Sequence, residues 1–220
     1  MNTTDAGNVT ATANGTAALG STAAGDLADP RPVYARATEQ AAELIRTVRP
    51  EQLSGPTPCT EFDVRTLLSH IVAGTRRIAV VGEGGDALAV TPFAEGVADD
   101  GWAAAYEEVR VRAVKAWQSD ERMRTPVRVP WGEVLGQEAL SGYLMEIVTH
   151  TWDLSEALGH PLPLDPEPAE RAFAAARRVL PDSRPRDAAT PFDARREAPE
   201  GAGAYERLAA WTGRVPLSRA

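Results

Sequence analysis

Apolar residues recur every three to four positions in four long stretches of the chain, each bounded by turn formers, which predicts four amphipathic helices. The first runs from Val33 to Val48 through Ala37, Ala41, Leu44 and Ile45 and stops before Pro50. The second starts at Val64 behind a capping Asp63, carries Leu67, Leu68, Ile71, Ile78 and Val81, and ends at the Gly82 to Gly85 breaker. The third spans about Asp99 to Ser119 on Trp102, Ala105, Tyr106, Val109, Ala113 and Trp117. The fourth spans about Gln137 to Leu158 with Gly159 as its C-terminal cap. A fifth from Asp165 to about Leu180 and a short last one from Gly203 to Thr212 follow, separated by a loop rich in Pro, Arg and Asp. Between the third and fourth, Thr125-Pro-Val-Arg-Val-Pro-Trp131-Gly alternates with prolines and predicts an extended excursion or hairpin. Four facing helices with long cross-connections define a bundle.

Two titratable residues interrupt the apolar side of the fourth helix. Glu146 and His150 are four residues apart, so they project about 40° from each other, along the arc that holds Ala139, Tyr143, Ile147, Leu154 and Ala157. A carboxylate and an imidazole on a core-facing side are costly unless partnered. Either a Glu–His hydrogen bond or a divalent metal ion satisfies both. His70 lies on the apolar side of the second helix, near Leu67, Gly74, Ile78 and Val81, and Gly74 leaves room beside its ring. Brought between facing helices, His70, Glu146 and His150 are two imidazoles and one carboxylate, a set known for catalytic zinc with an open fourth position. Nickel, iron and manganese also accept it. Asp153 is placed either to hold the free ring N–H of a metal-bound His150 or to pair with an arginine at the surface. His160, between Gly159 and Pro161, is expected to be an exposed turn residue.

Composition narrows the function classes. The chain has 220 residues and a net charge of −8, and no cluster of Lys and Arg with interleaved aromatics, which argues against nucleic acid and against a polybasic membrane contact. Cys59 is the single cysteine, so no internal disulfide forms. A lone thiol is expected to be inert packing. No apolar run approaches a membrane span and no signal peptide is legible, so a cytoplasmic location is expected. The first 30 residues, rich in Ala, Gly, Thr, Asn and Ser, read as a disordered leader. Phosphate-binding, nucleophile-elbow, paired-cysteine, EF-hand and dinucleotide motifs are missing from the sequence.

The segment Pro56-Thr-Pro-Cys59-Thr-Glu-Phe62-Asp63-Val-Arg65-Thr-Leu-Leu-Ser-His70, with Glu146-Ile-Val-Thr-His150-Thr-Trp152-Asp153-Leu and Ala157-Leu-Gly159, resembles an actinobacterial metal-binding family. That family is related to mycothiol-dependent maleylpyruvate isomerase, in the DinB-like superfamily. The likeness covers Val33 to Leu164, and Leu208-Ala-Ala-Trp-Thr-Gly213-Arg-Val-Pro216 resembles the family's tail. It implies an all-α, DinB-like up-down-down-up four-helix bundle with a divalent metal, zinc foremost, held by His70, Glu146 and His150. It also implies activation of a low-molecular-weight thiol, mycothiol, for isomerisation or S-transfer on a small-molecule substrate.

The expected organisation is a leader over 1–30, a DinB-like metal-binding bundle over 31–164 and a short C-terminal helical extension over 165–220. The isomerase has a larger C-terminal domain, which speaks against maleylpyruvate isomerisation itself. The alternative is a non-catalytic metal-binding or pathway-accessory module with a structural ion.

Overall fold

The computed structural model describes residues 28–182, 186 and 192–218. Most of the leader expected over residues 1–30 lies outside them. Helix α1 covers Arg31–Ile45, α2 Val64–Gly82, α3 Trp102–Ala116 and α4 Asp120–Arg124. Strands β1, Pro126–Val129, and β2, Gly132–Leu135, come next, then α5 Gly136–Leu158, α6 Pro166–Val179 and α7 Ala204–Trp211. The protein is all-α apart from this hairpin, as the periodicity predicts.

Local chemistry sets the helix ends. The Asp63 carboxylate accepts from Thr66 N–H at 2.8 Å and so occupies one of the donors that the first turn of α2 leaves open. Asp165 does the same for α6, accepting from Glu167 N–H, with Pro166 in the first position where no N–H is required. Gly159 ends α5 at φ 77°, a left-handed conformation that a side chain would oppose.

Two expectations need correction. The third helix begins at Trp102 rather than Asp99, because the Gly101 N–H is taken by Ala98 O in a preceding turn. It also ends at Ala116 rather than Ser119, whose hydroxyl instead caps the short helix α4 by accepting from Arg122 N–H at 3.3 Å. Downstream, the alternation forms an antiparallel hairpin with Val127 opposite Val134 and Arg128 opposite Glu133. Val127 and Val129 are buried and Pro126 and Arg128 exposed, the period-two pattern of a half-covered strand.

Long-range contacts fix the direction of each helix. Arg31 at the start of α1 donates to Gln118 O beyond the end of α3, and Arg46 just past the end of α1 meets Glu107 on α3, so these two run antiparallel. Arg65 pairs with Asp99 near the starts of α2 and α3, and Arg112 pairs with Glu83 near their ends, so these two run parallel. Helix α5 packs between α1 and α2. Asp153 near its end lies by Cys59 ahead of α2, and Tyr143 nearer its start lies by Arg77 late in α2, so α5 runs antiparallel to α2 and completes the up-down-down-up order. Tyr34, Leu44, Leu67, Leu68, Tyr106, Trp117 and Leu140 fill the centre. Trp117 also donates its indole N–H to Ile78 O at 3.0 Å, which keeps that buried polar group satisfied. Helices α6 and α7 lie against α5 and each other, with Leu208 and Ala176 fully buried between them.

The parallel pair α2 and α3 requires a long crossover, residues 83–101. It returns along α2, tied down where the Ser69 hydroxyl donates to Ala94 O at 2.8 Å. This path carries Pro92 and Phe93 past His70.

Candidate metal centre

His70 on α2 and Glu146 and His150 on α5 meet between the two helices. One ligand-type atom from each lies within 4.8 Å of the others. His70 Nε2 is 3.1 Å from Glu146 Oε1, and His150 Nε2 is 3.5 Å from the same oxygen. The two imidazole rings stand edge to face, 5.0 Å apart at 79°.

The far nitrogens of both rings are engaged. His70 Nδ1 lies 3.2 Å from Pro92 O, and His150 Nδ1 lies 3.0 Å from Asp153 Oδ2. Both partners are pure acceptors, so each Nδ1 carries the hydrogen and donates it. In the neutral rings, both Nε2 lone pairs then face a carboxylate oxygen. Three acceptors converge with no donor among them, an arrangement that requires either extra protons or a cation.

Without a metal, protons answer that demand. Burial works against the charged form of His150, but hydrogen bonds to Asp153 and Glu146 outweigh it and lift the group to about 9. Burial likewise works to raise Glu146, and the two imidazoles overcome it, holding the carboxyl well below its usual range. The cluster therefore keeps Glu146 ionised and places cationic charge beside it, which a divalent ion replaces directly. The donor set of two imidazole nitrogens and one carboxylate oxygen suits such an ion.

Exposure is graded across the cluster. The His150 side chain is 6 % exposed, His70 18 % and Glu146 34 %, so the site is approached from the Glu146 side and closed behind His150. Phe62 and Phe93 pack on His70, with ring centroids 5.4 and 5.8 Å from the imidazole. Beyond Phe93 lies a cavity of about 300 Å³ lined partly by Ser69, Ala94 and Trp102.

Asp153 is fully buried and joins both roles open to it in the sequence. It accepts from His150, and Arg214 donates its Nε–H to both carboxylate oxygens at 3.1 and 3.2 Å. The arginine is internal, 8 % exposed, so the surface pairing expected for Asp153 is corrected to a buried one. Sequence reasoning missed Arg214 as an individual residue; its only signal was its place in the family-like tail. It also missed Pro92, whose contribution is a backbone carbonyl that no residue type announces.

Cys59 lies near this network, half-buried, and burial pushes its thiol up to about 11 although Arg214 opposes the shift. It is a protonated thiol at neutral pH, as expected for packing. His160 adopts φ 56°, and its Nε2 reaches Glu156 Oε1 at 2.6 Å. It sits in the exit turn, away from the cluster.

The up-down-down-up bundle with an inward His/Glu/His group defines a DinB-like helical protein. Residues 34–155 match the family described as Mycothiol maleylpyruvate isomerase N-terminal domain. The chain belongs to this family. Two uncharacterized proteins from two strains of Mycobacterium tuberculosis are each 32 % identical to it over 187 residues, covering 85 % of this chain and 98 % of theirs. No solved structure matches it significantly. Among the described residues no helix is long and apolar enough to cross a membrane.

Proposed function

We propose that His70, Glu146 and His150 hold a divalent metal ion, zinc foremost, and that the protein is a mycothiol-dependent isomerase or S-transferase acting on a small molecule. The observation that carries this reading is the convergence of two Nε2 lone pairs and one carboxylate oxygen with no donor between them. The family's link to mycothiol supplies the thiol. In this scheme residues 31–164 are the metal-binding bundle, residues 165–220 its helical extension, and the setting is the cytoplasm.

A divalent ion held by His70, Glu146 and His150 would supply Lewis acidity, the chemistry that acidifies a thiol. The chain does the rest. Pro92 O and Asp153 fix the hydrogens on the far side of each ring and aim both Nε2 atoms inward. Glu146 offsets one unit of the ion's charge and leaves the site formally near +1, which favours an incoming anion. Phe62, Phe93 and the buried flank of His150 keep water from the closed side. Cys59, kept protonated by burial, takes no part in this scheme.

Elemental analysis of untagged protein tests the site: one ion per chain is expected, lost in His70→Ala while the helical circular-dichroism signal persists. Titrating a small thiol into cobalt-substituted protein then tests the function, the expected result being a sulfur-to-cobalt charge-transfer band. An ion with no such band favours the alternative of a structural metal in a non-catalytic module. Absence of any ion removes both readings.

A further inference from the structure

Helices α6 and α7 each carry an aromatic residue and an arginine four positions apart, and so on one side: Phe173 and Arg177 on α6, Arg207 and Trp211 on α7. The two rings meet edge to face, 5.8 Å apart at 81°. Arg195 and Arg196 come from the chain ahead of α7. That chain is pinned to the helix end where Arg196 N–H donates to Ala210 O at 2.8 Å and Arg196 Nε–H to Gly213 O at 3.1 Å. Between these segments runs a groove of about 380 Å³, walled by Phe173, Trp211, Arg195, Arg196, Arg207 and the acid Glu197. Its size suits a small molecule.

Five guanidinium groups gather here. Arg177, Arg186 and Arg195 each stand within 6.0 Å of the centre of the Trp211 ring, and Arg177 and Arg207 within 5.9 Å of that of Phe173. Stacking a cation on a ring is favourable, but crowding five like charges around two rings is not. Among the described residues, three acids answer them: Asp182 pairs with Arg195 at 2.9 Å, Asp193 lies near Arg186, and Glu197 stands in the wall. A positive surplus remains, in a chain where acidic groups outnumber basic ones by 31 to 23. Arg186 registers the crowding: burial and the Arg195 charge hold its pKa below the ordinary arginine value, against the pull of Asp182 and Asp193.

The donors on offer define the ligand. Arg195 and Arg196 hold their fold contacts through Nε, and among the described residues their terminal nitrogens make no hydrogen bond. Arg207 donates only a long bond, 3.4 Å, to Ala202 O. Three guanidinium groups reaching one groove from two segments call for an anion of more than one charge, with acceptor oxygens spread in three dimensions. A phosphoryl group has both properties, whereas a carboxylate has one charge and two coplanar oxygens, enough for a single guanidinium fork. The groove is larger than a bare phosphate needs, and Phe173 gives it an apolar flank.

We propose that this groove, which shares no residue with the metal centre, binds a phosphate monoester. Arg195, Arg196 and Arg207 take the phosphoryl oxygens, Arg177 and Arg186 add to the local positive field, and Phe173 packs against the organic part. The site stands or falls independently of the metal reading.

Isothermal titration of the full-length protein compares three probes: phenyl phosphate, inorganic phosphate and phthalate, a dicarboxylate of like charge. Phenyl phosphate is expected to bind more tightly than either, and more weakly as ionic strength rises. Arg195→Met and Arg207→Met are each expected to weaken it about tenfold or more, the scale of one charge-assisted hydrogen bond. Both side chains are exposed, so the variants are expected to keep the helical circular-dichroism signal. Arg171→Met removes the same charge from the opposite side of α6 and is expected to change nothing. Because a phosphate oxygen can also bind a metal ion, the titration is repeated on His70→Ala, where groove binding is expected to persist. No binding, binding that survives both groove variants, or binding that disappears in His70→Ala overturns the inference. Phthalate bound as tightly as phenyl phosphate overturns the assignment to a phosphoryl group, and inorganic phosphate bound as tightly overturns the assignment to an ester.

Discussion

Arg214 reaches back across 61 residues to bracket Asp153, its Nε lying 3.1 and 3.2 Å from the two carboxylate oxygens, while Asp153 in turn holds His150. The result is a line of cation, anion and imidazole leading from the last segment of the chain into the His/Glu/His cluster. A buried carboxylate of this kind is stable only while its cation is present, and removing one partner of such a pair costs about 3–5 kcal/mol.

Arg214→Met should therefore lower thermal stability by that order and loosen His150. Loss of an outer partner of this type lowers metal affinity about 10–100-fold. Competition with a chromophoric chelator measures it. Asp153→Asn, which retains an acceptor for His150 but no charge, should keep more of the affinity than Asp153→Ala. Equal zinc affinity in all three proteins would show that the brace serves the fold alone.

The metal-free protein should respond to pH in the opposite sense to the loaded one. His150 is lifted from 6.5 to about 9 in the fold. Its contribution is complete below the unfolded value and is lost as pH rises through the folded one, so chelated protein should lose Tm between about pH 6.5 and 9. Metal needs the same nitrogen unprotonated, so the zinc-loaded protein should gain relative to the chelated one across that window. Parallel melting curves with and without chelator decide it, and a constant gap would contradict the linkage.

Asp63→Ala removes the carboxylate that accepts from Thr66 N–H and should cost about 1 kcal/mol of stability. Zinc content should stay unchanged, since His70 sits nearly two turns into α2. Denaturant unfolding gives the first quantity and elemental analysis the second.

Gly142→Ala places a methyl 2.8 Å from the ring of Trp131. The ring belongs to an exposed hairpin tip, so it should swing aside, at about 1 kcal/mol, the mild end of overpacking. Its fluorescence should shift red as it leaves the face of Tyr143.

Cys59→Ser should leave thiol-dependent reactivity intact, and the native residue should alkylate slowly at pH 8, because its thiol is held up to about 11. Rapid labelling at that pH would contradict the burial argument.

The bundle was legible because its signals are local. Leu67, Leu68 and Ile71 repeat at helical spacing, Asp63 stands one residue ahead of Val64, and Gly159 follows the last periodic residue of α5. The apolar faces that carry His70 and Glu146 make their approach possible once α2 and α5 pack together, and the family resemblance points to the same residues. What the residues around the cluster do was far less legible. Pro92 contributes a carbonyl, and any residue has one. Arg214 is separated from Asp153 by two helices and a loop, with no periodic relation between them. Helix α4 occupies five residues, Asp120–Arg124, too few for an apolar period to show.

The long reach of Arg214 also bears on the order of synthesis. The ribosome delivers α2 and α5 well before residue 214, so His70, Glu146 and His150 can gather while Asp153 still lacks its cation. During that interval the nascent bundle carries an unneutralised acid in its interior. Its inner face becomes fully settled when the final turn of chain folds back over α5.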